Sequence, residues 1–156
     1  MEEFNTLEKI RDLFKKNNCE GNDNCYIIAY KNVSQSPAAV FGGAVGGMVG
    51  AMEQPWDALL INETENGLGI IYLENTKIFT LKVKPDNLKL KDNSFIFIPN
   101  EEIKSIKVKN YGLLNKSVKN ITIKTNKETF HLISNVKEKD IEYQNDNIIK
   151  FAEKHK

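Results

Sequence analysis

Apolar and polar residues alternate along much of the second half of this chain, while its two ends repeat with a helical period. At the N-terminus, Phe4, Leu7, Ile10, Leu13 and Phe14 fall on one stripe of Glu3–Lys16 with charges opposite, which predicts an amphipathic helix. The turn-rich run NNCEGNDN ends it. Cys25–Val33, rich in β-branched and aromatic residues, predicts the first strand. Asp57–Asn62 and Leu68–Leu73 flank ETENG and predict a hairpin. Lys77–Lys84 alternates, with Phe79, Leu81 and Val83 on one face, and Ser94–Ile98 is apolar on both faces. Ile103–Lys109 sets Ile106 and Val108 against Ser105, Lys107 and Lys109; Val118–Thr125 points Ile121 and Ile123 inward; Glu128–Ser134 does the same with Phe130 and Leu132. Glu138–Lys154 predicts a closing helix lined by Ile141, Ile148, Ile149 and Ala152, with Phe151 at the edge.

About seven short antiparallel strands and a C-terminal helix predict an α+β, mainly β fold: one domain over 1–156, built as a small bent antiparallel barrel or sandwich. Residues 1–18 form its N-terminal helical element. A half-exposed strand alternates, yet Cys25–Tyr30, Ala58–Ile61, Leu68–Leu73 and Phe95–Ile98 are apolar on both faces. Part of the sheet therefore needs an outer cover, for which the N-terminal helix and a glycine-rich stretch are the candidates.

That stretch is SPAAVFGGAVGGMVGAM, within an insertion at 36–54 between the first and second strands. Gly42, Gly46 and Gly50 recur every fourth residue, which on a helix leaves a flat strip for close contact with another surface. Ser36 and Pro37 suit a helix start, and Pro55 a stop. Each interior glycine costs roughly 1 kcal/mol relative to Ala, so such a helix needs a partner surface. The apolar run Ala38–Met52 has 15 residues, short of the roughly 20 that a membrane-spanning helix needs.

The net charge is +1, but it is unevenly placed. Residues 1–76 carry 5 Lys/Arg and 11 Asp/Glu (5 − 11 = −6), residues 77–127 carry 12 and 4 (+8), and residues 128–156 carry 5 and 6 (−1). The basic middle points to lysines that solvate strand faces or meet an anionic partner. Lys82, Lys84, Lys107 and Lys109 are the candidates for such contact. Cys19 and Cys25 read as reduced thiols of a cytoplasmic protein, since the acidic N-terminus lacks the pattern of a secretory signal.

Catalytic constellations are missing from the sequence. His131 lies mid-strand out of phase with the core, His155 falls in the terminal tail, and Glu101-Glu102 point to opposite sides of a strand. No phosphate-loop spacing accompanies the glycines, and no metal or cofactor set is evident. Trp56 reads as a core or anchoring aromatic. Nucleic-acid binding wants exposed aromatics among the lysines, whereas Phe79 and Phe97 point inward by phase, so no nucleic acid is expected; no small-molecule substrate is identified from the sequence.

From about residue 57 to the end, LLINETENGLGIIYL, FIFIPNEEIKSIKVKNYGLL and KNITIKTNKETFHLI, followed by the terminal helix, resemble the pleckstrin-homology-like superfamily in its bacterial, GRAM-like branches. The resemblance implies a seven-stranded bent barrel with a capping helix, and a module that binds membranes, lipids or protein segments without catalysis. It carries over no binding residue, because Lys31 stands alone where lipid-binding members cluster basic residues, with no other before Lys77. Two functions follow: protein binding or self-association through Gly42, Gly46 and Gly50, or peripheral association with an anionic membrane through the glycine segment and the lysine faces.

Overall fold

The computed structural model describes residues 2–33, 56–77 and 83–156. Among them are two helices and eight antiparallel strands, a mostly-β α+β fold. In chain order these are α1 (Leu7–Lys16), β1 (Asn24–Lys31), β2 (Ala58–Thr64), β3 (Gly67–Asn75), β4 (Leu88–Leu90), β5 (Ile96–Pro99), β6 (Ile103–Asn110), β7 (Val118–Thr125), β8 (Thr129–Asn135) and α2 (Gln144–Lys154). The sheet runs β4-β3-β2-β1-β8-β7-β6, and β5 also pairs with β3. Gly42, Gly46 and Gly50, the predicted 36–54 helix, and Lys82 lie outside the described residues. So does most of the predicted 77–84 strand, whose described ends, Lys77, Val83 and Lys84, are irregular.

The doubly apolar strands are explained by two cores, one on each side of β1–β3. On the inner side, Ile27, Leu59, Ile61, Leu68 and Ile70 meet Ile121, Ile123, Phe130 and Leu132, with Ile148 and Phe151 of α2. On the outer side, Tyr26, Ile28, Leu60, Ile71 and Leu73 meet Phe4, Ile10 and Phe14. Among the described residues, the N-terminal segment thus covers the outer side. Thr6 caps α1 by accepting from Lys9 N, and Phe4 lies ahead of the helix yet is fully buried. The Tyr143 hydroxyl donates to Phe4 O at 2.6 Å and Glu142 N to Asn5 O at 3.1 Å, tying the cover to the chain's far end.

Tight backbone contact sets one corner. Gly67 has φ +151, and a Cβ there would run into the carbonyl oxygen of Ile98. Only glycine lets β5 lie this close on β3. Asn100 then donates to Glu65 O at 2.7 Å from its side chain and to Asn66 O at 3.1 Å from its backbone, anchoring the β5–β6 corner on the β2–β3 turn.

The closing helix departs from its predicted form. It begins at Gln144 rather than Glu138, because the chain turns at Asp140 with φ 62. Ile141 consequently joins the outer core with Phe4 and Tyr143, while Ile148 and Phe151 enter the inner one. Ile149, expected on the apolar stripe, is 46% exposed. Phe97 also reverses its expected phase: its strand neighbours Ile96 and Ile98 belong to the inner core, which leaves Phe97 42% exposed.

The ring of Phe14 is wholly buried, 5.8 Å from Tyr26 and 6.4 Å from Phe95. Phe14→Ala is therefore expected to lower stability by about 3–5 kcal/mol in urea unfolding. A loss under about 1 kcal/mol would mean that α1 is an accessory and not a cover.

Candidate interaction surface

Where β1–β3 are apolar on both faces, β6–β8 are apolar on one. The register sets Val108 against Ile121 and Ile121 against Leu132 on the inner face. The outer face then carries the rows Lys107–Thr122–His131, Lys109–Asn120–Ile133 and Ser105–Lys124–Thr129. Lys107, Lys109 and Lys124 are exposed. Residues 103–127 contain seven lysines (104, 107, 109, 116, 119, 124, 127) and no Asp or Glu. His131 is half-buried, and burial followed by the nearby Lys124 charge lowers its pKa, which favours the neutral ring.

Lys84 lies outside β6–β8. It precedes the short turn into β4, at the opposite end of the strand order from β6. Lys31, half-buried on β1, lies over the Trp56 ring at 5.0 Å, and Trp56 packs on Phe130 and Tyr72 at 6.1 and 6.2 Å. Trp56 is a core aromatic, as one of the two sequence readings had it.

The β6–β7 connection holds the residues that the sequence reading left unassigned. Tyr111 N donates to Val118 O at 2.9 Å and closes the loop base. Asn115 Oδ1 accepts from Ser117 N at 3.1 Å and from its hydroxyl at 2.7 Å. Gly112 makes the turn with φ +83. Between these fixed points, Leu113 and Leu114 are 98% and 95% exposed and Tyr111 is 43% exposed. The available signal was the pair of adjacent leucines inside a lysine-flanked turn, where polar residues are the rule.

A second feature overturns the expectation for His155. It is not in a frayed tail: its carbonyl accepts from Val108 N at 2.8 Å and its Nε2 lies 2.6 Å from Glu63 Oε2. Lys154 Nζ is 3.3 Å from the other Glu63 oxygen. Together with Thr64, Asn100, Ile103 and Ile106 they edge an open cleft of about 270 Å³. The Glu63 carboxylate is engaged by the Lys154 ammonium and the His155 ring, so this cluster clamps the end of α2 to β2 and β6. No catalytic role follows from it.

Cys19 and Cys25 are free and buried. Burial raises both thiols, and burial followed by the Glu63 charge pushes Cys25 up to about 11. No helix among the described residues is long and apolar enough to cross a membrane. Compared with protein-family models, curated proteins and solved structures, the chain matches none.

Because both thiols stay protonated near neutrality, neither is expected to react with an aromatic disulfide reagent at about pH 8 until guanidinium unfolds the chain. Rapid labelling of one thiol in the folded protein would show an accessible thiolate and contradict this environment.

Proposed function

We propose that this chain is a non-catalytic interaction module of pleckstrin-homology-like layout, which associates peripherally with an anionic membrane surface through its β6–β7 ribbon. The observation that carries the reading is the stretch 103–127, with seven lysines, no acidic residue, and Lys107 and Lys109 exposed on one face. A surface of anionic headgroups offers a field of one sign over an area wide enough to meet such a ribbon, and each lysine near it contributes about 1 kcal/mol. Support for the layout comes from the order of elements from β2 onward: antiparallel strands paired with their neighbours, then one terminal helix docked on the inner core. The clamp of His155 on β6 at one end of the strand order and on Glu63 in β2 is compatible with the bent barrel expected from the sequence. Tyr111 is an exposed aromatic beside the ribbon lysines and Phe97 stands on β5, which is short of the row of stacked aromatics that a single-stranded nucleic acid would use.

Co-sedimentation with phosphatidylcholine vesicles, with and without phosphatidylserine, tests the reading. Binding is expected only with the anionic lipid and should weaken as salt rises from about 0.1 M to about 0.5 M. The double variant K107E/K109E should reduce partition by about thirtyfold or more. Equal binding to neutral vesicles, or indifference to the charge reversal, would refute it. A dimer that forms without lipid and is lost in Gly46→Leu would instead favour self-association through the glycine strip.

A further inference from the structure

Two neighbouring leucines at 98% and 95% exposure are an unusual use of large apolar side chains. A single exposed leucine needs no explanation, but here two adjacent ones stand at a hairpin tip whose base is hydrogen-bonded. Tyr111 N is bonded to Val118 O, and Asn115 Oδ1 takes both Ser117 donors. The loop is held at its base and presents its apolar residues outward. Gly112, with φ +83 and nothing within 4 Å of a would-be Cβ, makes the turn in open space.

The charges around the tip identify what it meets. Lys109 precedes the loop and Lys116 lies within it, both exposed, and no acidic residue occurs between 103 and 127. Lys119 Nζ is held by Asn110 Oδ1 at 2.6 Å across the ribbon, which fixes a further positive charge at the loop base. A tip apolar at its end, aromatic at its shoulder and cationic at its base matches the layering of an anionic bilayer: acyl chains below, a glycerol region that favours tyrosine, and charged headgroups above.

We propose that Leu113 and Leu114 insert into the acyl-chain boundary of an anionic lipid bilayer, with Tyr111 at the interface and Lys107, Lys109 and Lys116 on the headgroups. This rests on the peripheral-membrane reading and adds its anchoring step. Electrostatic attraction brings the ribbon to the surface and sets the salt dependence. Insertion of the two leucines then adds a component that salt does not screen, because burial of apolar area is insensitive to the Debye length.

The test compares wild type, L113S/L114S and K107E/K109E on phosphatidylserine-containing vesicles at low and high salt. Both leucines are solvent-exposed, so the serine variant should melt as wild type does. It should keep salt-sensitive binding but lose about tenfold in partition per leucine, and with it the binding that survives high salt. Leu113→Trp should show fluorescence quenched by lipids brominated on the acyl chain, against a constant background from buried Trp56. If L113S/L114S partitions as wild type while K107E/K109E does not, the ribbon binds by charge alone and insertion is refuted. If wild type binds no vesicle at any salt, both readings fall together. A lipid-independent dimer abolished by L113S/L114S would assign the tip to a second copy of this chain and also overturn the proposal.

Discussion

A buried amide stands where two strands part. β1 and β8 pair at Tyr30 with Ile133 and at Lys31 with Leu132, and then diverge. The edge of β1 left behind would bury unpaired backbone groups, each costing about 1–3 kcal/mol. Gln144, wholly buried at the first turn of α2, takes their place. Its Oε1 accepts from Ile28 N at 2.9 Å; its Nε2 lies 2.7 Å from Asn135 O and 2.9 Å from Ser134 Oγ. The Ser134 hydroxyl donates onward to Ile28 O at 2.7 Å, so the amide's donors and acceptor are all used. One turn later, Asn147 donates to Tyr26 O at 2.9 Å. The helix thereby serves β1 as a neighbouring strand would.

Much else follows from that substitution. With its first turn anchored on β1, α2 can lay Ile148 and Phe151 into the inner core and bring His155 to Glu63 and to Val108 N. The residues before it, Ile141 and Tyr143, are carried to the outer side, where Tyr143 holds Phe4. The N-terminal segment and residues 141–143 thus meet on the outer side of the sheet, and α1 covers strands whose outer faces are apolar. β6–β8 need no such cover, because their outer faces are polar and lysine-rich. Among the described residues, the division between a doubly buried half and a half-exposed one leaves a basic ribbon with an exposed leucine tip.

Local features were legible in the sequence to different degrees. Val118–Thr125 was read to the residue, because strict alternation with β-branched residues admits one phase. The need for an outer cover was legible from strands apolar on both faces, and α1, one of the two candidates, lies on that side. The three-residue β4 was too short for any periodicity to register. Ile141 and Ile148 are spaced as on a helix, but the chain turns at Asp140 between the two cores, so the helix was read six residues too long. His155 was assigned to a tail because its partners, Glu63 and Val108, are remote in sequence. Gln144 gave no signal for the same reason: a glutamine in a polar helix start looks like solvent-facing filler until Ile28 and Asn135 are placed beside it. Of the candidate lysines, Lys107 and Lys109 are exposed on β6 in the phase read from the sequence, Lys84 lies outside the ribbon, and the leucine tip was left unassigned.

Replacing Gln144 by leucine tests the central claim most directly, since it keeps the volume and removes every polar atom of the wedge. The account predicts a loss of about 3–5 kcal/mol in urea unfolding, together with faster hydrogen exchange at the Ile28 amide than at the amides paired between β6 and β7. A variant within about 1 kcal/mol of wild type, with Ile28 still protected, would show that β1 and α2 are held by apolar packing alone and would contradict it.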